Sequence, residues 1–245
     1  VSPKRKDASA PACIAIVDAA NFLYRAFFAI PGLRAPDGTP TNAVYGFANM
    51  LNKLVREEKP DAILIALDAR GKNFRHELFP DYKGTRDAQP EDLTTQLPIF
   101  RELVEAWGLP ALEVEGFEAD DLIATVAARA PEASRILIVS TDKDLMQLVD
   151  DRVELVDTMK DRRYDAEAVE KRFGVPPGQV LDLRALVGDS SDNIPGVKGI
   201  GEKGAAKLIH EWGDLENLIA HAGEVKAKRA REALEAHADE ARLSK

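Results

Sequence analysis

Short, unbroken apolar runs recur along the first half of the chain, and each leads to aspartate. Cys13–Val17 leads to Asp18, Ala62–Leu67 leads to Asp68, and Ile136–Val139 leads through Ser140 and Thr141 to Asp142 and Asp144. Runs this short, rich in Ile and Val, fit strands buried on both faces of a parallel sheet. Between them the apolar period lengthens to that of a helix. Val44, Phe47, Leu51, Leu54 and Val55 mark a helix over 41–58, which Pro60 stops. Leu93, Leu97, Phe100, Val104 and Trp107 share a face over 91–107, with Pro98 expected to bend that helix. Shorter helices are predicted over 21–29, capped by Asn21, over 118–130 and over 143–149. Residues 31–40 read as a turn-rich loop, 111–115 as a short strand and 153–164 as a hairpin.

From residue 165 onward the strand pattern stops, and helices are expected at 165–173, 178–187, 202–212, 214–221 and 224–240. Alternating strands and helices followed by helices alone predict an α/β fold. It has a mostly parallel central sheet flanked by helices, with a helical C-terminal part. The expected division is a disordered segment at 1–10, an α/β core at 11–175 and the helical part at 176–245.

The composition, with 45% hydrophobic and 31% charged residues in 245, is that of an ordinary globular chain. A net charge of −9 argues against uniform attraction to nucleic acid, but a local basic face remains compatible with it. The single cysteine, Cys13, lies in an apolar run and reads as a small buried hydrophobe in a reducing compartment. No apolar run approaches the roughly 20 residues that span a bilayer, and no secretory signal is visible, so no membrane partner is expected. The chain begins on Val1 and reads as a piece or processed form of a longer protein.

In open parallel sheets, sites form beyond the carboxyl ends of the strands. Asp18, Asp68, Asp142 and Asp144 fall there, Glu118, Asp120 and Asp121 open a helix, and Asp189 and Asp192 lie in the loop Gly-Asp-Ser-Ser-Asp-Asn. Each has an ordinary explanation. A strand-terminal aspartate often caps the next helix, and acids in a first turn favour the helix dipole. Together they are an acidic constellation, and carboxylates crowded in one cleft repel unless protonated or bound to cations. Oxygen ligands without His or Cys suit Mg²⁺ or Mn²⁺ rather than zinc, and a pair of such ions suits phosphodiester cleavage.

Two further stretches carry phosphate chemistry. Arg70, Lys72, Arg75, Lys83 and Arg86 are interleaved with Phe74, Phe79 and Tyr82 in a segment expected to be partly helical, mobile and exposed. It reads either as a solvated surface segment with its aromatics tucked into the core or as a phosphate clamp with stacking groups. Tyr24 and Arg25 follow Asp18 closely enough to serve the same cleft. Gly196, Val197, Lys198, Gly199, Ile200 and Gly201 form a glycine-rich turn that enters a helix carrying Lys203 and Lys207. Such a turn exposes backbone N–H groups to phosphate, although it also fits a tight interhelical connection.

With these motifs in order, the chain resembles the 5′ nuclease family, and within it the 5′→3′ exonuclease domain that begins bacterial DNA polymerase I. The resemblance is carried by Val17-Asp18 with Tyr24-Arg25, the Asp68 strand, Phe74-Arg75 with Tyr82-Lys83, and Glu118-Ala-Asp-Asp121. Thr141-Asp-Lys-Asp144, Gly188-Asp-Ser-Ser-Asp-Asn193 and Pro195–Gly201 complete it. It implies that Asp68, Glu118 and Asp120 lie nearer a first Mg²⁺. Asp121, Asp142, Asp144, Asp189 and Asp192 lie nearer a second, with Asp18 in the same cleft and Mn²⁺ able to substitute. Lys143, between two of these acids, is expected to point elsewhere. By the same resemblance Lys83 and Arg75 grip the scissile phosphate. Tyr82 and Tyr24 steer bases near the 5′ end, with Arg25 and Arg86 beside them on DNA.

Gly196–Gly201 is similar to a helix-hairpin-helix that holds duplex phosphates with a K⁺ ion. The implied substrates are DNA with a 5′ flap, nick or free 5′ end, and RNA primers on DNA. The implied setting is a monomeric bacterial cytoplasmic enzyme of replication and repair, with a polymerase domain in the same chain as a partner. Two other functions fit parts of the pattern. A DNA-junction binder without turnover explains the hairpin but not the full carboxylate set. A small-molecule phosphohydrolase explains the strand-end aspartates but not the hairpin.

Overall fold

A computed structural model describes residues 12–245. The segment 1–10, expected to be disordered, lies outside the described residues. The chain runs β1 (Cys13–Asp18), α1 (Ala19–Ala29), α2 (Asn42–Glu58), β2 (Ala62–Ala66), α3 (Phe74–Leu78), α4 (Glu91–Ala106), β3 (Ala111–Leu112), α5 (Ala119–Arg129) and β4 (Arg135–Val139). It continues with β5 (Val153–Asp157), β6 (Arg162–Tyr164), α6 (Ala166–Phe173), α7 (Pro177–Val187), α8 (Glu202–Trp212), α9 (Leu215–Ala220), α10 (Lys228–Ala236) and α11 (Ala238–Ser244). It divides into two compact units. The first holds the described residues through Arg70, Gln89–Thr141 and Arg152–Arg163; the second holds Gly71–Ala88, Asp142–Asp151 and Tyr164–Lys245.

The first unit is built on a six-stranded sheet in the order β3-β2-β1-β4-β5-β6. The pairs β1–β2, β1–β4, β2–β3 and β4–β5 are parallel, with Val17 opposite both Ile65 and Val139. Because side chains alternate along a strand, Cys13, Ala15 and Val17 share one face. There they join Phe22 of α1, Phe47 and Leu54 of α2 and Phe100 of α4 in one core. The rings of Phe47 and Phe100 meet edge to face at 4.8 Å. Ile16, Ile136 and Ile138 are buried on the opposite face, where α5 touches β1 and β2. The chain winds outward from β1 through β2 to β3 and then returns to β4. The carboxyl ends of β1 and β4 therefore flank the point where strand order reverses, which is where open sheets bind ligands.

Several elements differ from the sequence expectation for local reasons. Asp18, not Asn21, caps α1, its Oδ1 accepting from Asn21 N at 3.1 Å. Thr41 makes no side-chain cap for α2. The fully buried Gln96 of α4 supplies it instead, with Oε1 accepting from Ala43 N at 2.8 Å and Val44 N at 3.2 Å. The other end of that amide is also paired, Nε2 donating to Asn42 Oδ1 at 2.8 Å and Asp92 O at 3.0 Å. Pro98 lies inside α4, while Trp107 closes that helix as an exposed cap rather than a core residue.

In the second unit α7 is central, touching α6, α8, α9, α11 and a 3₁₀ turn at Asp144–Leu148, where an α-helix was expected. The single helix expected over 224–240 is a 3₁₀ turn followed by α10 and α11, which meet at His237. An Ala-rich stretch has no breaker to mark that junction. The turn is fixed by what α11 docks onto: Arg242 pairs with Glu216, Ser244 Oγ accepts from Gly196 N at 3.0 Å, and Lys245 Nζ reaches buried Asp182 at 2.6 Å. Among the described residues no helix is long and apolar enough to cross a membrane.

Candidate active site

The first unit carries five of the expected carboxylates. Asp18 ends β1 and is buried, and its Oδ2 accepts from Ser140 Oγ at 2.8 Å. That bond spans the carboxyl ends of β1 and β4, the switch point of the sheet. Asp68 stands two residues beyond β2, since the strand ends at Ala66, and its Oδ1 accepts from Ala119 N at 2.8 Å. Asp121 Oδ2 accepts from Glu118 N at 2.9 Å. Asp68, Glu118, Asp120 and Asp121 therefore gather at the N-terminus of α5, where first-turn N–H groups and the helix dipole favour negative charge. These bonds follow the helix-cap explanation.

Also in the first unit, Tyr24 is exposed and touches Phe28 with ring centroids 5.1 Å apart. Arg25 is turned to buried Asp157, with Nη1 to Oδ1 at 3.1 Å and Nη2 to Oδ2 at 3.3 Å. Its guanidinium thus has a structural partner within the unit.

The second unit carries the other four. Asp142 Oδ1 accepts from Asp144 N at 2.8 Å and so turns the chain between the two acids. Burial pushes the Asp144 carboxyl up, opposed by the Arg184 guanidinium and reinforced by Asp142 and Asp189. Burial would also raise Asp189, but hydrogen bonds from the Ser191 hydroxyl and from Lys143 outweigh it and hold that carboxyl below the usual range. Arg184 bridges the pair, with Nε 2.7 Å from Asp144 Oδ1 and Nη2 on Asp189 Oδ2. Lys143 does not point elsewhere: its Nζ is 3.0 Å from Asp189 Oδ2.

The expected clamp segment belongs to this same unit. Lys83 N donates to Asp192 O at 2.9 Å, and Arg86 bonds Asp192 Oδ1 through both Nε and Nη2. Tyr82 is buried edge-on to His76, its hydroxyl 3.4 Å from Asp192 Oδ2, whereas stacking on a base asks for an exposed ring. Asn73 caps α3, and Arg75 lies over the Phe74 ring at 4.6 Å. At the hairpin, Gly196, Val197 and Ile200 are buried while Lys198, Gly199, Gly201 and Lys203 are exposed. Gly188 and Gly196 approach back to back with φ of 72° and 59°, and Asp189 and Ile194 exchange backbone hydrogen bonds at 2.9 and 2.7 Å.

Among the described residues no three Asp, Glu, His or Cys side chains stand ready as a metal cage. The carboxylates are instead engaged by backbone N–H groups and basic side chains. The donors are nonetheless carboxylate oxygens, and Asp144 is raised partly by its acidic neighbours. That set fits a hard divalent cation. Sequence reasoning missed Ser140 and Arg184. For Arg184 a signal existed: it is a charge inside the otherwise apolar run Leu183-Arg184-Ala185-Leu186-Val187.

The model of a 5′-3′ exonuclease N-terminal resolvase-like domain matches residues 13–174, and that of the 5′-3′ exonuclease C-terminal SAM fold matches 175–245. The chain belongs to the 5′-3′ exonuclease family. A 5′-3′ exonuclease of Aquifex aeolicus is 41% identical over 205 residues, covering 83% of this chain and 71% of that protein. DNA polymerase I of Bacillus caldotenax is 46% identical over 237 residues, covering 95% of this chain but 27% of the polymerase. This 5′-3′ exonuclease chain thus spans about a quarter of the length of the polymerases it matches. A bacteriophage T5 flap endonuclease, solved as a pseudo-enzyme-product complex with DNA and metal ions, superposes with a TM-score of 0.81 at 25% identity. That match covers 95% of this chain and 87% of the phage protein.

Proposed function

We propose that this nuclease hydrolyses phosphodiester bonds at a 5′ flap, nick or free 5′ end of DNA, and removes RNA primers, with two Mg²⁺ ions. The observation that carries the proposal is the gathering of Asp142, Asp144 and Asp189 around Lys143 and Arg184, where burial, reinforced by the neighbouring acids, pushes the Asp144 carboxyl up. Asp68, Glu118 and Asp120 serve a first ion; Asp142, Asp144, Asp189 and Asp192 serve a second. When bound, the ions supply Lewis acidity, and Mn²⁺ substitutes for Mg²⁺. Asp18 and Asp121 belong to the proposed metal-binding set as well, and Asp121 Oδ2 also accepts from Glu118 N at the start of α5.

Lys83 and Arg75 neutralise the scissile phosphate, water attacks in line, and the product carries a 5′-phosphate. Tyr24 offers an exposed ring to a base. The N–H groups and lysines at Lys198–Lys203 hold a duplex phosphate, with K⁺ at the hairpin carbonyls. The relatives named DNA polymerase I support a polymerase partner in one chain; the nuclease itself is proposed to work as a monomer on bacterial DNA in the cytoplasm.

The test is cleavage of a labelled 5′-flap duplex, with and without Mg²⁺, read at nucleotide resolution. Asp120→Ala and Asp142→Ala are each expected to lose at least about a hundredfold in rate. Cleavage at the wild-type rate by either variant sinks the proposal, and binding without cleavage in both Mg²⁺ and Mn²⁺ supports a junction binder instead.

A further inference from the structure

Two cations of different character serve Asp189. Arg184 rises from the last turn of α7 with 10% of its side chain exposed, and its rigid fork spans Asp144 and Asp189. Lys143 reaches the same Oδ2 of Asp189 at 3.0 Å but is 40% exposed. The other oxygen, Oδ1, accepts from Ser191 N at 2.8 Å and Ser191 Oγ at 2.6 Å, within its own loop. Of the two cations, Lys143 is the one with a ready route to water. An ammonium is a compact, strongly hydrated charge on a flexible stem, whereas a guanidinium in a packed helix is fixed by its planar geometry. A divalent cation on Oδ2 and an ammonium at hydrogen-bond distance from it repel, so the two compete for one oxygen.

We infer that Lys143 is a displaceable counter-charge. Its ammonium holds the Asp189 carboxylate until a divalent cation replaces it, and so it sets the affinity of that site, while Arg184 stays in place. The inference rests on the reading of Asp189 as a metal ligand. It gives the lysine between Asp142 and Asp144 a role in metal affinity beyond that of a structural ion pair.

The test is Mn²⁺ binding to the whole chain without DNA, by calorimetry and by electron paramagnetic resonance of free Mn²⁺. The relevant binding step is the one that Asp189→Asn removes. In Lys143→Met, with Lys143→Gln as a second neutral variant, that step is expected to tighten about tenfold, the strength of one charge-assisted hydrogen bond. Lys143→Arg is expected to bind Mn²⁺ no more tightly than wild type. The neutral variants are also expected to melt lower in EDTA and to gain more from Mn²⁺ than wild type does. A lower melting temperature with unchanged or weaker Mn²⁺ affinity marks a purely structural ion pair and overturns the inference. If Asp189→Asn removes no step, the metal-ligand reading fails and takes the inference with it. If Asp189→Asn removes the step and the neutral variants do not tighten it, only the role of Lys143 fails.

Discussion

Gly188 and Gly196 give the sharpest test of how the acidic loop is held. A Cβ placed on Gly188 would lie 2.5 Å from Ile194 O and 2.7 Å from Gly196 N, and one on Gly196 would lie 2.5 Å from Val187 C. These neighbours are backbone and cannot swing aside. Both residues also have positive φ, which costs an alanine about 1–2 kcal/mol. Forcing the two backbones apart adds about 1–3 kcal/mol by analogy with overpacked cores. Gly188→Ala and Gly196→Ala are therefore each expected to destabilise the second unit by about 2–5 kcal/mol. Gly178, in the first turn of the same helix, has nothing within 4 Å of a built Cβ. Gly178→Ala is expected to be neutral, or to stabilise by up to about 1 kcal/mol. Trp212 reports on this unit, so urea unfolding followed by its fluorescence in a Trp107→Phe background separates it from the first unit. Asp189 follows Gly188 directly, so flap cleavage should fall with stability in Gly188→Ala and stay at the wild-type level in Gly178→Ala. An unfolding free energy for Gly188→Ala within about 0.5 kcal/mol of wild type would refute the close approach as a constraint.

Other consequences sit in the first unit. Gln96→Leu leaves the Ala43 and Val44 N–H groups and the Asn42 amide oxygen without that partner, at an expected cost of about 2–4 kcal/mol in urea unfolding; a loss below about 0.5 kcal/mol would show that water replaces the cap. Burial would raise the Glu154 carboxyl, but hydrogen bonds from Arg135 and Arg163 outweigh it and lower it. A carboxylate depressed in the folded state adds stability that is present above its unfolded value and lost as pH falls through its folded value. Arg163→Met is therefore expected to be destabilising at neutral pH and indistinguishable from wild type once the pH lies below both values. The loss should be under about 1 kcal/mol, because Arg163 is 37% exposed. A difference that grows as the pH falls would reverse the assigned sign.

The strands and their terminal acids were legible because burial on both faces writes an unbroken apolar run, and an aspartate interrupts it visibly. The partners were not. Ser140 meets Asp18 across 122 positions, and Gln96 caps a helix that begins 54 positions earlier. No local pattern encodes such contacts. Trp107 fitted the helical period yet lies at the end of α4, where the face it would share has run out. Lys143 was misread for a geometric reason. It was expected to point away from the acids on either side of it, but Asp142 accepts from Asp144 N, a 3₁₀ turn follows, and the lysine meets Asp189. Of the two readings of the basic segment, the burial of Tyr82 against His76 matches the one with its aromatics tucked into the core, a tertiary property that no local pattern decides.

The two groups of carboxylates are restrained by different physics. In the first unit the donors are Asn21 N on Asp18, Ala119 N on Asp68 and Glu118 N on Asp121, with the Ser140 hydroxyl on the other oxygen of Asp18. These donors are neutral, and the backbone ones are fixed by the helices they begin. In the second unit the restraint is charge on long side chains: Arg184 on Asp144 and Asp189, Lys143 on Asp189 and Arg86 on Asp192. A neutral N–H can keep its hydrogen bond while the remaining lone pairs of the same carboxylate take a cation. An ammonium or guanidinium cannot do so without close repulsion. A cation on one of these first-unit oxygens can leave the N–H bond in place, whereas one on Asp144, Asp189 or Asp192 must displace or crowd a charge already there. Lys143 and Arg86 are 40% and 52% exposed, so water lies beside the charges that a cation would crowd, whereas Arg184, in the last turn of α7, is 10% exposed.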